Sequence, residues 1–572
     1  MSIPRTAREA SRRTADRTAN RAHRKKGAWL ALAFILVLQA LVCLWFSLQK
    51  SGLFMDESFT YTLANGVWGA YPSTEGVVYE HAEPWVTQAS VGSFLGIDLK
   101  QLYLNQAADT HPPLYYVLFS LAYSLFPGSV SPLIGCVLNS ALLVVGTALM
   151  YAISRELGMR KAHGLVVCAL WAINPAMVNM AIYLRMYAML SVVVLAATLA
   201  CLKVMRRGAC APVAAAAIFA LTVGGFLTQY FFVFYAFALY LICGVTLLAR
   251  KRLASAGAFA AATIGGIACA IALFPPSLTH LFSNRGQQAI ENASSAAQLV
   301  DFLPRNIAQI NSGIFGGMLV PLLALIALLG IGARVGAHLG NRRSLCEQDA
   351  APVTRGAHLA PAEPKAPTAS QGPWLPGLLT IACSSAFYVA MVSYVAPYAS
   401  IRYLMPAEQA LFMSVWCSAI AALAALLSAL DGTRRNSHPY AQLAGLAAVG
   451  IACTVLGYHA GIKYLHQDTP SLAELSSKNA SMLVVSNEPI FQDSLLPDAV
   501  AYERSLCFTA ESGVFDTYDL AAYASSFALY VPLSSNADTY LGSLTRRWPE
   551  AVATYCGEAE ENYGVYDVTL NA

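Results

Sequence analysis

Residues 27–60 read GAWLALAFILVLQALVCLWFSLQKSGLFMDESFT, a long apolar run followed by two adjacent acids. About 20 apolar residues suffice for a helix to cross a bilayer, and the run from Ala28 to Leu48 reaches that length. Asp56 and Glu57 follow just beyond its end. Carboxylates are costly inside lipid and common in water. Their position therefore indicates either the point where the helix leaves the membrane or chemistry on a membrane-borne substrate.

The composition is that of a membrane protein that crosses the bilayer many times. The chain has 572 residues, of which 57% are hydrophobic and 12% charged, with a mean hydropathy of +0.52. A soluble domain carries about 25% charged residues. Nine Lys or Arg residues lie between Arg5 and Lys26, before the first apolar run. A cleaved signal peptide has a shorter apolar core, so we predict an uncleaved anchor whose basic arm, residues 1–27, is cytoplasmic and does not bind nucleic acid.

Further segments of spanning length bring the predicted membrane spans to eleven. After 28–48 they lie at 131–153, 164–182, 186–204, 211–228, 230–249, 254–275, 312–333, 374–396, 404–428 and 440–461. Basic residues then cluster at the ends of all five even-numbered spans, at Arg155, Arg160 and Lys161; Lys203, Arg206 and Arg207; Arg250, Lys251 and Arg252; Arg334, Arg342 and Arg343; and Arg434 and Arg435. By the positive-inside rule these ends are cytoplasmic, which places the first long loop and the C-terminal region outside a plasma membrane.

The parts outside the spans differ in character. The first outer loop, 51–130, contains an apolar segment from Pro113 to Phe126 that is too short to span, so we predict an interfacial helix. Residues 335–373 are rich in Ala, Pro and Gly, which predicts a flexible cytoplasmic loop. Residues 464–572 are more polar and predict a small outer α/β domain. Its strand-like runs are 482–486, 527–531 and 563–566.

Cysteine usage leaves one candidate disulfide. Of the 13 cysteines, only Cys507 and Cys556 belong to the predicted outer domain. An oxidising exterior would allow these two to pair. The cysteines elsewhere lie mostly in spans or on the cytoplasmic side, where they act as small apolar residues.

Several polar motifs fall on the outer face in this topology. Asp109 and His111 precede the short interfacial helix, and Arg185 and Arg402 lie in outer turns, where the positive-inside rule disfavours cations. Each motif has an ordinary structural explanation: a capping histidine, snorkelling arginines, or an aromatic belt for Gln229 and its neighbours. An outward arginine beside tyrosines also suits a phosphate or carboxylate partner.

The combination of these motifs resembles glycosyltransferase family 39, which belongs to the GT-C superfamily and includes protein O-mannosyltransferases and the lipid A aminoarabinose transferase. The strings that carry the resemblance are Asp56-Glu57-Ser58-Phe59-Thr60, His111-Pro112-Pro113-Leu114-Tyr115-Tyr116, Arg185-Met186-Tyr187 and Arg402-Tyr403-Leu404-Met405-Pro406. The resemblance covers residues 28–430 and implies an all-α polytopic fold, here of about eleven transmembrane helices plus outer interfacial helices, as the GT-C domain at 28–463. It further implies an active site on the outer face that takes a sugar from a polyprenyl-phosphate donor.

The resemblance implies a role for a residue only where this chain matches the motif of the family. Asp56 matches the catalytic aspartate of the family, and Glu57 matches the second acid of its motif. The resemblance and the outer motifs together give the predicted substrate-binding residues Asp109, His111, Tyr115, Arg185, Tyr187, Gln229, Tyr230, Arg402 and Tyr403. Relatives often have His-Tyr where this chain has Gln229-Tyr230, and glutamine cannot act as a base. The aminoarabinose transferase has a further acid near the position of Arg185, and this chain has none, so a divalent cation (Mg or Mn) depends on Asp56, Glu57 and Asp109.

The predicted reaction can be argued from the chemistry of its parts. A carboxylate such as Asp56 can take the proton of an acceptor hydroxyl, while arginines stabilise a leaving phosphate. A single displacement inverts the sugar's anomeric centre, unlike the two-carboxylate scheme of retaining glycosidases. The acceptor stays open between protein, glycolipid and wall polymer, because residues after 464 carry no family signature. A solute transporter and a non-enzymatic envelope scaffold remain the alternative functions.

Overall fold

The computed structural model describes most of the chain. It covers residues 5–68, 74–280, 282, 287–288, 291–292, 296–349, 374–430, 439–467, 470–486, 495–509, 514–559 and 563–571. For 5–25, 340–349, 430 and 439–442 only the backbone is described.

Helices make up the part of the chain that contains the predicted spans. They are α1 (Arg5–Ser47), α2 (Met55–Asn65), α3 (Glu83–Ala89), α4 (Leu99–Ala108), α5 (Leu114–Tyr123), α6 (Pro132–Glu156), α7 (Lys161–Ala172), α8 (Pro175–Ile182), α9 (Tyr187–Arg207), α10 (Pro212–Thr228), α11 (Phe232–Ala249), α12 (Leu253–Leu273), α13 (Pro276–His280), α14 (Ala296–Phe315), α15 (Leu319–Asp349), α16 (Leu375–Val395), α17 (Met405–Leu430) and α18 (Pro439–Tyr458). The C-terminal region adds the short helices α19 (Pro470–Lys478), α20 (Leu496–Ala499), α21 (Val514–Thr517), α22 (Leu520–Tyr523) and α23 (Ala537–Arg547).

All eleven predicted spans fall on helices, but not all of these helices have full spanning length. In the described residues, eight helices are long and apolar enough to cross a membrane, and the bent pair α7 and α8, with a 56° angle, makes a ninth. The other two, Pro212–Thr228 and Leu443–Tyr458, are shorter apolar helices. The predicted class, a polytopic helical membrane protein, is confirmed, and among the described residues eight or nine of the eleven predicted spans have full spanning length.

Proline and glycine mark several helix ends. Pro132, Pro175 and Pro212 each lie in the first turn of their helix, where a missing N–H group removes no helical hydrogen bond. Gly208 ends α9 with φ +64°, a left-handed conformation that glycine adopts without steric cost. These local rules explain why separate helices begin and end at these positions.

The basic helix ends lie together at one end of the bundle. Arg206 forms an ion pair with Glu156 at 3.5 Å, and Arg250 donates to the carbonyl of Met205. At the same end, the amide of Trp374 donates to the carbonyl of Leu157 at 2.7 Å. The ends that the sequence assigned to one side are therefore neighbours in the fold.

The predicted short interfacial helix is α5, which has ten residues. One face of α5 is fully buried, with Tyr115, Tyr116, Phe119 and Tyr123 inside the protein, and it packs against α2, α6 and α10. The helix is thus too short to span and is held against the bundle beside the acidic pair.

The C-terminal region forms a six-stranded mixed sheet. Its strands are β1 (Val78–Glu80), β2 (Ser481–Ser486), β3 (Arg504–Thr509), β4 (Ser526–Pro532), β5 (Val552–Ala559) and β6 (Tyr563–Thr569), in the order β1-β3-β2-β4-β6-β5. Strand β2 runs parallel to β3 and β4, and the remaining pairs are antiparallel. The α/β prediction is confirmed, and the three strand-like runs are β2, β4 and β6. Strand β1 was not foreseen: the first outer loop contributes it, so this sheet is shared between two distant parts of the chain.

The first part of the predicted flexible loop at 335–373 is helical. Helix α15 continues to Asp349, so residues 335–349 are helical. Its length follows from the Leu- and Ala-rich sequence, since both residues favour helices. The rest of the predicted loop, 350–373, lies outside the described residues.

The predicted pairing of Cys507 with Cys556 is wrong for this fold. Cys507 lies in β3 and Cys556 in β5, and three strands separate them. Four interstrand steps of about 4.8 Å put the two strands roughly 19 Å apart, whereas a disulfide needs Cα atoms within about 7 Å. Sequence order alone could not show this separation.

We expect Cys507 and Cys556 both to be alkylated when the protein is denatured without a reductant. The measurement is peptide mass spectrometry with and without prior reduction. Alkylation of both residues that depends on reduction would contradict the strand order described above.

Candidate functional site

Helix α2 places the acidic pair just beyond the end of α1. Phe54 is its extended N-cap residue, and Asp56 and Glu57 lie in its first turn. The amide of Phe54 donates to Glu57 Oε2 at 2.7 Å, so the acid closes the helix start in the manner of a capping box. Acids at this end are also favoured by the helix dipole.

Glu57 is completely buried, and both of its carboxylate oxygens are engaged. Oε2 accepts from Lys50 Nζ at 3.0 Å as well as from Phe54, and Oε1 accepts from the amide of Leu184 at 2.8 Å. No oxygen points to an open surface. This geometry does not fit the predicted catalytic or metal-binding role, and we interpret Glu57 as a positioning residue that joins α1, α2 and the turn before α9.

Asp56 is the accessible acid of the pair. Its Oδ2 accepts from the hydroxyl of Tyr183 at 3.0 Å and forms an ion pair with Arg402. The side chain is 17% exposed. Both contacts use the same oxygen, so among the described residues Oδ1 is left for an incoming group.

Arg185 lies beneath Asp56 and holds its backbone. One terminal nitrogen donates to the carbonyl of Asp56 at 3.1 Å and to Thr60 Oγ1 at 3.2 Å. The other lies 3.2 Å from Nε2 of His111. Among the described residues no carboxylate lies within ion-pairing distance of Arg185, although the side chain is buried. The site therefore contains a buried cation without a direct anionic partner.

His111 and Asp109 form a pair at the start of α5. His111 Nδ1 lies 2.6 Å from Asp109 Oδ2. An arginine can only donate, so Nε2 must accept from Arg185, and Nδ1 then carries the proton that Asp109 accepts. Burial acts to raise the pKa of Asp109, but His111 and Arg185 together bring that pKa below its usual value. The Asp109 carboxylate thus stays ionised and fixes the histidine tautomer.

Arg402 is surrounded by aromatic rings. Its guanidinium carbon lies 5.3 Å from the ring centre of Phe54, 5.1 Å from that of Tyr398 and 5.2 Å from that of Tyr403. It also donates to the Tyr398 hydroxyl. Such rings stabilise a desolvated cation at a membrane boundary. Tyr403, a predicted binding residue, therefore lies at the site.

Two predicted binding tyrosines are buried supports. The Tyr115 hydroxyl donates to Asn139 Oδ1 at 3.1 Å, and Asn139 in turn donates to the carbonyl of Tyr183 at 2.7 Å. Tyr187 stacks on the ring of Tyr183 with centroids 5.7 Å apart. Neither is open to a substrate here: Tyr115 is fully enclosed and Tyr187 is 2% exposed. Both support Tyr183, whose hydroxyl donates a hydrogen bond to Asp56.

The predicted pair Gln229-Tyr230 lies at the side of Asp109. Gln229 Oε1 accepts from the amide of Phe231, which caps the following helix. The Tyr230 hydroxyl lies 2.8 Å from His280 Nδ1, and His280 Nε2 lies 3.3 Å from the carbonyl of Ala107. Gln229 is therefore structural in this conformation. Tyr230 is linked through His280 to the end of α4, just before Asp109.

Sequence reasoning missed the connector between α18 and the sheet. The ring of Tyr464 stacks on Tyr183 with centroids 4.0 Å apart, and its carbonyl accepts from Lys50 at 2.7 Å. The carbonyl of His466 accepts from the amides of Ser51 and Gly52. One signal was available: Lys50 is a cation at the outer end of the first span, where cations are disfavoured.

The proposed metal candidates do not come together. Asp56 is paired with Arg402, Glu57 with Lys50 and Asp109 with His111. In the part of the chain that the structure describes, no group of three His, Cys, Asp or Glu side chains is arranged to hold a metal ion. A divalent cation needs several oxygen ligands, and these acids are already used by basic partners. No step of the chemistry below is therefore assigned to a metal.

Comparison with solved structures returned proteins of the kind that the sequence resemblance named. ArnT from Cupriavidus metallidurans bound to undecaprenyl phosphate is 13% identical, over 94% of this chain and 97% of that chain, with a TM-score of 0.49. The oligosaccharyltransferase AglB from Archaeoglobus fulgidus, in complex with an inhibitory peptide and a dolichol-phosphate, is 11% identical over 90% and 71%, with a TM-score of 0.39. Both are glycosyltransferases of the GT-C fold. No protein-family model and no curated protein matches the chain. At these identities, the role of each residue has to be argued from its own contacts.

Proposed function

We propose that this protein is a membrane glycosyltransferase that moves a sugar from a polyprenyl-phosphate-linked donor to an acceptor hydroxyl. The site is the group of side chains around Asp56, and the reaction inverts the anomeric centre. The single observation that carries the proposal is that two buried arginines meet at Asp56, Arg402 at its accessible carboxylate and Arg185 at its backbone carbonyl.

The direct hydrogen-bond partners of Arg185 favour an anionic ligand at that side chain. Arg402 is neutralised by Asp56, and Lys50 by Glu57. Arg185 has only neutral partners within hydrogen-bonding distance, namely a carbonyl, a hydroxyl and the ring of His111. A phosphate supplies the missing negative charge and presents several acceptor oxygens to a guanidinium.

Asp56 fits the role of general base. Its Oδ2 is fixed by Tyr183 and Arg402, and the side chain is 17% exposed. The acceptor oxygen attacks C1 of the sugar while its proton passes to Asp56. The bond between C1 and the phosphate oxygen breaks, and its electron pair stays on the phosphate. Arg185 and Arg402 stabilise that charge, and a single displacement from the opposite side inverts C1.

The site belongs on the extracytoplasmic face in this proposal. The basic ends around Arg206 and Arg250 meet at one end of the bundle, and Asp56 lies beyond the opposite end of α1 from its basic arm. Cytoplasmic loops carry the excess of Lys and Arg. The N-terminus is then cytoplasmic and the sheet extracytoplasmic.

The apolar helix surfaces that face lipid suit a donor with a long prenyl chain. The first span exposes large apolar side chains, including Phe34 and Leu41, along its length. A prenyl chain can remain in lipid beside such surfaces while its phosphate reaches the arginines. The acceptor class, whether protein, glycolipid or wall polymer, is left to experiment.

We expect Arg185→Lys to weaken use of a polyprenyl-phosphate donor. Lysine keeps the charge but loses the forked hydrogen bonds, and bonds to charged groups contribute about 1.5–3 kcal/mol each, which is roughly 10- to 150-fold in kcat/KM. The measurement is donor titration with purified enzyme. Arg206→Lys, at the opposite end of the bundle, is the matched control and should leave kcat/KM unchanged. Equal losses in both variants would show that the effect is not local to the phosphate.

The test of the proposed function is a donor panel. Purified protein in vesicles is given polyprenyl-phosphate sugars one at a time with a membrane extract as acceptor, and the lipid products are identified by mass. Conversion of one donor to the bare polyprenyl phosphate is the expected result. Uptake of a solute into the vesicles with no donor consumed would instead favour the transporter alternative.

A further inference from the structure

An exposed apolar tip lies beside the site, outside the helices that can span the membrane. It consists of Phe94, Leu95, Leu125 and Phe126, and we call it the outer tip. These side chains are exposed by 67%, 53%, 48% and 56%, respectively. Large apolar side chains that are exposed together usually mark an interaction surface.

Backbone hydrogen bonds join the two segments of the outer tip. The amide of Leu95 donates to the carbonyl of Ser124 at 3.1 Å, and the amide of Gly128 donates to that of Val91 at 3.0 Å. These bonds hold the turn after α3 against the end of α5.

The backbone of the turn is strained at one of its exposed apolar residues. Leu95 has φ +53°, a left-handed conformation that is unfavourable for a leucine. A Cβ atom at Gly96 would lie 2.0 Å from Ser93 Oγ, so any larger residue there would force the serine side chain to rotate. Strain of this kind persists when surrounding contacts fix it, and it is often associated with a functional role.

The sequence around the outer tip suits lipid better than a protein partner. Residues 84–97 and 112–131 contain no Asp, Glu, Lys or Arg. Helix α6, a candidate membrane span, begins at Pro132, only a few residues after Phe126. The tip is therefore continuous with the surface that enters the bilayer, and it offers no charged group with which to select a protein.

We propose that the outer tip inserts into the leaflet of the bilayer on the side of the site. Phe94 and Leu95 enter the acyl-chain region, together with Leu125 and Phe126. Asp109 and His111 directly precede α5, whose far end carries half of the tip. Insertion of the tip would therefore hold Asp109 and His111 at a fixed depth in the membrane, near the lipid phosphates. Arg185, which is hydrogen-bonded to His111, would lie at the same depth. The insertion itself does not depend on the proposed sugar transfer.

The experiment is photocrosslinking from single positions of the full chain. A benzophenone amino acid replaces Phe94 in one variant and Val552 in another. Val552 is the matched control because it is apolar and 55% exposed, but it lies on the edge strand β5 of the sheet. Both variants are reconstituted in vesicles of phosphatidylcholine and phosphatidylglycerol, irradiated, and digested for mass spectrometry.

We expect lipid adducts at position 94 to be several-fold more frequent than at position 552 and to be located on acyl chains. Equal frequencies at the two positions, or adducts at position 94 that are formed mainly with protein, would overturn the proposal. Phe126, replaced in the same way, gives a second reading from the other half of the tip. A tip that is inserted must also give acyl-chain adducts there.

Discussion

An Asp56→Asn variant is expected to lose sugar transfer by about 10²- to 10⁴-fold in kcat, the range that a positioned general base contributes. Asparagine has nearly the same shape and can still accept the Tyr183 hydroxyl bond, so the local geometry is kept. It cannot take the acceptor proton. Donor binding should suffer much less than kcat, because the arginines remain.

The control for this variant is Asp301→Asn. Asp301 also pairs with an arginine, Arg305, but the pair is half exposed and lies on α14. Its loss should leave kcat unchanged. An Asp56→Asn enzyme that is folded, binds donor and turns over at the normal rate would show that Asp56 is not the base.

The second large effect is on stability, and it concerns Lys50→Met. Removal of one partner from a fully buried ion pair leaves an uncompensated charge and costs about 3–5 kcal/mol. Both side chains of the Lys50–Glu57 pair are 0% exposed. The same change removes the bond from Lys50 to the connector carbonyl of Tyr464. We expect a strongly lowered midpoint of thermal unfolding in detergent.

Lys478→Met is the matched comparison. Lys478 pairs with Asp567, but its side chain is 59% exposed, and exposed pairs contribute about 0–1 kcal/mol. A similar small shift in both variants would contradict the structural role of the buried pair. A Lys50→Met, Glu57→Leu double variant should recover part of the loss, because no charge is then left buried.

The sequence predicted well those features that depend on local patterns. Apolar runs of spanning length located all eleven helical segments, and basic residues such as Arg206 and Arg250 correctly grouped the helix ends. The same charge rule predicted that Asp56, Arg185 and Arg402 share one face of the bundle, and these residues do meet. Each of these inferences uses either the composition of a short stretch of sequence or the charged residues next to that stretch.

The features that the sequence missed depend on contacts between distant residues. Lys50 meets Tyr464 across 414 positions, and no local pattern reports that contact. The same holds for β1, which joins β3 from the first outer loop. Glu57 was predicted to be catalytic because it matches the second acid of the family motif beside Asp56. On a helix, however, neighbouring residues point about 100° apart, so one acid faces the site and the other the interior.

In the proposed reaction, a sugar is transferred from its polyprenyl phosphate at the site around Asp56. The most direct measurement is the molar ratio of polyprenyl phosphate released to sugar transferred, in purified wild-type protein and in Asp56→Asn. We expect a ratio of one in the wild type, and formation of both products slower by about 10²- to 10⁴-fold in the variant. Release of polyprenyl phosphate by the wild type without transferred sugar, or equal release by both proteins, would contradict it.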